Sequence, residues 1–351
     1  MSQPTISSAA RHPSGPVADR FEARVRAREQ GDLSPLAVRS YPAHRETAEP
    51  DCGLRTPFQR DRDRIVHCKA FRRLKHKTQV FVAPTGDHYR TRLTHTLEVT
   101  QVSRTVARAL ALNEDLCEAI GLGHDLGHPP FGHVGEDALD RCLRERFNTG
   151  FRHYEHSLRV VDTLERDGRG LNLTQPVRDG IVSHSGRSTQ PATLEGRIVR
   201  LVDRVAYINH DIDDAVRAGV LAAADLPGGA IEVLGETGER RIDTLVHDLV
   251  ESSEAAGDIV QGERIGGAMT QLRDFMFEHV YLGPVATREH AKINIVIDAL
   301  FRYYCEHPDE IPASIPGGEL PTRVTDYLAG MTDRFCIRAF EQLCVPDSFA
   351  P

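Results

Sequence analysis

Residues 124–136, "HDLGHPPFGHVGE", carry three histidines, an aspartate and a glutamate in thirteen positions, around a Pro-Pro pair and three glycines. Helix cores are not built this way. Pro129 and Pro130 supply no amide donor, and the residue before a proline avoids helical geometry. The stretch therefore reads as the end of one helix near Gly127, a turn, and a second helix restarting after Phe131. Upstream, Leu116, Ile120 and His124 continue one helical face. Asn113 is the expected N-cap, with Glu114 and Asp115 favourable in the first turn.

Before that helix, "RLTHTLEVTQVSRTVARALAL" (92–112) places His95, Val99, Val102, Val106 and Leu110 on one face. His95 and His124 both extend apolar stripes, so both point inward. Further on, "LEGRIVRLVDRVAYINHDIDDAVRAG" (194–219) has an apolar face of Ile198, Leu201, Val205, Ile208 and Ile212. A second face holds Asp203, Tyr207 and Asp211 at steps of four. "LPGGA" (226–230) breaks the chain. Helical patterns follow, including "HAKINIVIDALFRYY" (290–304). Pro-rich "HPDEIPASIPGG" (307–318) marks a long loop before a last helix around "VTDYLAGMTDRFCIRAFEQL" (324–343). Strand signals are weak, and the fold class is all-α.

The 351-residue chain is 40% apolar and 27% charged, enough to bury a sizeable core. Its net charge of −8 argues against generic coating of nucleic acid. Between Arg60 and Lys77, however, eight Lys/Arg stand against two Asp, which suits either a solvated helix face or a polyanion site. The seven cysteines are scattered without a C-x-x-C, as expected of reduced thiols in a cytoplasmic protein. No apolar run approaches the roughly 18 residues of a membrane span. Ser, Pro and Arg content through residue 54 reads as a flexible amino-terminal arm.

His124 and Asp125 can reach one ion from the same helical turn, and imidazole plus carboxylate suits Mn, Fe, Ni, Co, Zn or Mg. His95 and Asp203 supply a further pair from inward positions. A His-Asp dipeptide alone means little, since His210-Asp211 and His247-Asp248 also occur. His133 and Glu136, three apart, are neighbours on a helix. A carboxylate fixes the imidazole tautomer and raises its basicity, giving a general base for water. His128 sits at the turn, placed to donate to a phosphate oxygen. In "FRHYEHSLR" (151–159), either His153 or His156 can protonate a leaving oxygen. Metal, cations and several histidines together describe hydrolysis of a phosphate ester. No P-loop signature occurs.

The pattern His95, His124-Asp125, Asp203 resembles the HD phosphohydrolase superfamily. "RTPFQRDRDRIVHCKAFRRLKHKTQVF" (55–81), "GDHYRTRLTHTLEV" (86–99), "HDLGHPPFGHVGE", "DRVAYINHDIDDAVRAG" (203–219) and "AGMTDRF" (329–335) are similar to the deoxyguanosine triphosphate triphosphohydrolase family. The resemblance implies an HD-domain helical fold, a single large domain with a carboxy-terminal helical extension. The expected divisions are an arm at 1–54, the metal-dependent core at 55–225, and helices at 226–351 packing on it. It implies cleavage of a dNTP to deoxynucleoside and triphosphate, with His95, His124, Asp125 and Asp203 holding a divalent metal. His133 and Glu136 match the catalytic dyad, and His128 and His153 match histidines near the phosphates. Tyr154 and His156 depart from the "HNxQS"-like string of many relatives, so the choice between His153 and His156 as leaving-group acid stays open. Arg92, Arg204 and Tyr207 resemble phosphate contacts; Gln79 and Asp211 resemble deoxyribose contacts. A homo-oligomer is implied, while a second, activating nucleotide is left open. Two rivals stand beside this reading: an HD phosphatase for monophosphates or cyclic nucleotides, and a non-catalytic binder of nucleotides or single-stranded nucleic acid.

Overall fold

The computed structural model describes residues 16–79 and 90–346. Residues 1–15, at the start of the expected arm, and most of the "GDHYR" stretch lie outside the described residues. Among the described residues the regular elements are helical, and extended backbone pairs in two single bridges, Arg45 with Thr174 and Thr78 with Thr91. The protein is all-α, as its periodicity predicts. No helix among the described residues is long and apolar enough to cross a membrane.

The chain begins with α1 (Ala18–Asp32), α2 (Pro57–His67) and α3 (Lys69–Arg73). Next come α4 (Arg92–Ala109), α5 (Glu114–Gly123), α6 (Gly132–Phe147), α7 (His153–Arg159), the short α8 (Glu165–Gly168), α9 (Gln175–Ser183) and the long α10 (Leu194–Arg217). The carboxy-terminal third holds α11 (Gly228–Leu234), α12 (Gly238–Ala256), α13 (Glu263–Met276), α14 (Pro284–Glu306), α15 (Leu320–Ala329) and α16 (Asp333–Cys344). Local chemistry sets several starts. Thr56 and Gln59 form a capping box at α2, and Thr91 and Thr94 form another at α4. Asn113 caps α5 by accepting the Leu116 amide at 3.3 Å.

Three apolar clusters hold these helices together. Val99 and Val106 of α4 pack with Leu116 and Ile120 of α5 and with Ile198 and Val202 of α10. Leu139 and Leu143 of α6 meet Ile297 and Phe301 of α14, Val324 of α15 and Cys336 of α16. Ile208 and Ile212 of α10 pack against Leu234, Met269 and Leu272. The two faces read on α10 thus divide as expected, its apolar residues binding core and its carboxylates turned elsewhere.

Three expectations change. First, residues 16–54 are not a free arm from end to end. Residues 18–32 form α1, whose buried Glu29 accepts the Ser40 amide at 2.9 Å. Asn113 donates to the Val38 carbonyl, and Glu195 accepts the Val38 amide. The partners lie far along the chain, so local composition does not reveal them. Second, α5 stops at Gly123, four residues before the expected end, because α7 takes over its terminal groups. The Ser157 hydroxyl donates to the His124 carbonyl at 2.7 Å and accepts the Gly127 amide at 2.9 Å. Third, the expected last helix is two helices. The chain breaks at Gly330 and restarts under a new cap, Thr332, which accepts the Phe335 amide.

Gly127 is required by contact. A Cβ there would lie 2.1 Å from the Ser157 amide nitrogen and 2.5 Å from the His153 carbonyl oxygen. Gly127→Ala is therefore expected to destabilise the protein by about 3 kcal/mol, the upper range for overpacking. Gly267→Ala, in α13 with nothing within 4 Å of its Cβ, should instead be neutral or stabilising by up to about 1 kcal/mol. Equilibrium denaturant melts read both, and equal stabilities for the two variants would contradict the close approach.

Candidate active site

Four helices converge on one buried pocket. α4 brings His95 and Arg92, the end of α5 brings His124 and Asp125, α7 begins with His153, and α10 carries Asp203. His95 Nε2 lies 3.0 Å from Asp203 Oδ1. His124 Nε2 stands 3.6 Å from Asp125 Oδ1 and 3.8 Å from Asp203 Oδ1. Ligand atoms of His95, His124 and Asp203 lie within 4.8 Å of one another. Asp125 borders that set through His124, and its Oδ2 is paired with Arg92 at 2.7 Å.

The donor set fits a cation. His124 Nδ1 lies 2.7 Å from the Gly121 carbonyl, an acceptor, so the ring proton sits on Nδ1 and Nε2 is a bare lone pair. That nitrogen is buried and makes no hydrogen bond among the described residues. Its distances to two carboxylate oxygens match neighbouring ligands about 2.0–2.2 Å from a shared ion. Burial works against ionising Asp203, but hydrogen bonding and charge from His95, with charge from His124, bring it down to about 2. Burial likewise opposes ionised Asp125, and the Arg92 guanidinium with the surrounding imidazoles holds it well below the usual carboxylate range. For His95, burial lowers the pKa, yet the Asp203 contact lifts it above its ordinary value. All three groups are arranged for opposite charge.

Beyond the turn, Phe131 adopts a left-handed conformation (φ 64°) and α6 restarts at Gly132, as the prolines predict. Asp333 at the start of α16 accepts the Phe131 amide at 3.0 Å and the Thr78 amide at 2.9 Å. Buried Lys77 donates to the carbonyls of His128 and Ala329. Its amine is drawn down to about 7, chiefly by burial and then by Arg73. The carboxy-terminal helices thus clamp the turn from behind, a role the basic run around Lys77 does not announce.

On α6, Glu136 is buried and His133 is exposed (73% of its side chain). Glu136 Oε2 stands 3.3 Å from His133 Nδ1 and 2.8 Å from His153 Nδ1, and Oε1 accepts the His153 amide. Burial opposes its charge, but the hydrogen bonds to His133 and His153 hold it far below the ordinary value. His128 stacks on His153 with ring centroids 3.9 Å apart. Burial, then the Arg92 charge, holds His128 well below its usual pKa. Of the two candidate acids, His153 faces this pocket. His156 turns away, with Nδ1 3.0 Å from the Gly127 carbonyl and Nε2 3.4 Å from Asp326.

The remaining candidates are dispersed around the pocket. Arg204 makes no hydrogen bond or ion pair among the described residues, whereas Arg92 is engaged by Asp125. Burial, then the Asp203 charge, moves Tyr207 up to about 12. The side-chain oxygen of Gln79 is buried without a hydrogen bond among the described residues. Asp211 accepts from the Tyr281 hydroxyl, and burial moves its carboxyl up to about 7. The other His-Asp pairs separate by environment. His210 is buried against Glu98 at 2.7 Å behind His95, and His247 lies exposed on α12.

One histidine escaped sequence reasoning. His184 follows α9, is 2% exposed, and faces His124 with ring centroids 5.0 Å apart. Its Nδ1 contacts the carbonyl three residues back, at Ile181, as His124 does with Gly121. Both cap a helix end and present Nε2 to the pocket. The available signal was "SHSG", a histidine ending an apolar helical pattern before a turn.

This centre, set among α4 to α10, is that of an HD-domain protein. The HD domain model matches residues 92–208, and the model of the phosphohydrolase-associated domain matches 259–342. Within that class the chain belongs to the deoxyguanosinetriphosphate triphosphohydrolase-like family, a family of hydrolases. A relative of that name from Caldanaerobacter subterraneus subsp. tengcongensis is 52% identical, with 90% of this chain and 93% of the relative covered. One from Clostridium perfringens is 49% identical (86% and 91% covered), and one from Desulfatibacillum aliphaticivorans is 46% identical (94% and 98%).

The Asp211 environment yields a stability prediction. Its folded pKa, about 7, lies above the ordinary 3.8. Between those values the folded state holds more protons than the unfolded state, so stability falls as pH rises. Asp211→Asn removes the buried charge and keeps an acceptor for Tyr281. The variant should exceed wild type in stability by more at pH 8 than at pH 5. Thermal melts at the two pH values check this; a gain that is equal or larger at pH 5 refutes it.

Proposed function

We propose that this protein is a metal-dependent dNTP triphosphohydrolase, cleaving a deoxynucleoside triphosphate to deoxynucleoside and inorganic triphosphate. The observation that carries the reading is the dyad on α6. An exposed His133 points Nδ1 at a buried, ionised Glu136, beside the His95, His124 and Asp203 cluster. Glu136 keeps the proton of His133 on Nδ1, which leaves Nε2 bare toward solvent and able to take a proton from water. His153 donates from Nδ1 and from its backbone amide to the same carboxylate, so Glu136 cannot swing away.

In this reading His95, His124, Asp125 and Asp203 hold the divalent ion, with Mn, Mg, Fe, Ni, Co and Zn all compatible with imidazole and carboxylate donors. When bound, it supplies charge that polarises a phosphoryl oxygen. Water loses a proton to His133 and its oxygen bonds to the α-phosphorus. The bond from phosphorus to O5′ breaks with its electron pair on O5′, which takes up one proton to become the free hydroxyl. His128, with Nε2 3.4 Å from Asp125 Oδ1 and Nδ1 without a hydrogen bond among the described residues, stands beside the phosphates in this reading. Arg204 and Tyr207 on α10, with Arg92, offer positive charge and a hydroxyl to the remaining phosphates. Gln79 and Asp211 flank the sugar in this arrangement.

Mass analysis after incubation with each dNTP and Mn²⁺ or Mg²⁺ should find deoxynucleoside and intact triphosphate. His133→Ala should lower turnover on the order of 10²–10⁴-fold, the usual worth of a general base. Asp125→Ala should abolish it. Orthophosphate released from a monophosphate, with dNTPs untouched, would instead favour an HD phosphatase. Full activity in Asp125→Ala would end the proposal.

A further inference from the structure

Behind the pocket, one buried carboxylate joins two segments that are far apart in sequence. Asp333 Oδ1 accepts the Phe131 amide at 3.0 Å. Its Oδ2 accepts the Thr78 amide at 2.9 Å and the Thr78 hydroxyl as well. Capping does not account for this side chain, because the cap of α16 is its neighbour Thr332. Hydrogen bonds to an ionised acceptor are stronger than neutral ones, so three on one carboxylate make a firm junction.

The two segments also lie against each other. A Cβ at Gly132 would stand 3.6 Å from the Gln79 carbonyl oxygen and 3.7 Å from that of Thr78. The Lys77 carbonyl accepts the Arg92 amide at 3.2 Å, and Thr78 pairs with Thr91 in a single bridge. Residues 77–79 therefore form a strap between the start of α4 and the start of α6. Ala329, whose carbonyl accepts from Lys77, and Asp333 flank the break between α15 and α16. An unbroken helix would commit the Ala329 carbonyl to the Asp333 amide four residues on. The break frees that carbonyl for Lys77 while Asp333 reaches the strap and the turn together.

We propose that Asp333 is a positioning residue, setting from behind the pocket the distance between Gln79 on the strap and the His133–Glu136 dyad on α6. The inference rests on the triphosphohydrolase reading, in which Gln79 meets the sugar and His133 takes a proton from water. The carboxylate then fixes where the sugar end of the nucleotide stands relative to the attacking water. A misplacement of about 1 Å at such a centre costs on the order of 10²-fold in rate. Asn at 333 keeps the size of the side chain but replaces one acceptor oxygen with an NH₂ donor. That donor would face an amide or hydroxyl donor, so the strap or the turn is released.

The test pairs steady-state kinetics with hydrogen–deuterium exchange on the full-length protein. Asp333→Asn should lower kcat for a dNTP by about 10–100-fold. It should also bring the kcat/KM ratio of the dNTP to its matching ribonucleotide toward one, which a purely structural contact would not do. Thr78→Val, which removes one donor and keeps the shape, should move both quantities the same way by less. Exchange in Asp333→Asn should quicken over 77–79 and 128–133 while α12 and α13 stay as protected as in wild type. If that variant does not fold, Thr78→Val carries the decision. An unchanged dNTP-to-ribonucleotide ratio, or unchanged exchange in either segment, overturns the positioning role. Wild type that leaves every dNTP intact sinks the activity reading instead, and exchange then still decides whether Asp333 joins the two segments.

Discussion

The structure depends on how closely the turn at Gly127 approaches α7. One hydroxyl, that of Ser157, satisfies the last carbonyl of the His124 turn and the amide of Gly127, and no side chain fits at 127. This contact lets α5 end early and brings the His124-Asp125 pair against the first residue of α7, His153. The clamp from the carboxy-terminal helices, Asp333 on the Phe131 and Thr78 amides and Lys77 on the His128 carbonyl, keeps the rest of the turn from relaxing away.

Such a pocket is electrostatically demanding. At least five imidazoles and three carboxylates are buried within a few ångströms, and a buried polar network left partly satisfied is unfavourable. The protein meets this through unequal partners. Helix-end carbonyls at Gly121 and Ile181 fix the tautomers of His124 and His184. Glu136 does the same for His133 and His153, and Arg92 neutralises Asp125. Among the described residues, the buried atoms of this pocket left without a hydrogen bond include Nε2 of His124 and Nδ1 of His95 and His128.

Legibility in the sequence followed the periodicity. His95 and His124 were readable because each extends an apolar stripe on its own helix. His133 and Glu136 were readable because three-residue spacing makes neighbours once the prolines define where α6 starts. His184 was not, because its meaning comes from facing His153 and His124 across the fold. The same holds for α1 and the segment after it, whose partners Asn113 and Glu195 lie far away along the chain. Gly330 and Thr332 carried a stop and a cap inside an apolar pattern that looked continuous, so two helices read as one.

The amino-acid order by itself determined the all-α character, the break and restart around Pro129 and Pro130, and the inward direction of His95, His124 and Asp203. These follow from backbone sterics and from a period of 3.6 residues, both local. Tertiary structure alone decided that His153 faces the pocket while His156 turns to Asp326, and that Arg92 pairs with Asp125. It also set the 3.3 Å gap between His153 and His184. Those outcomes depend on distances between separate helices, fixed by packing and burial and absent from any short window of sequence.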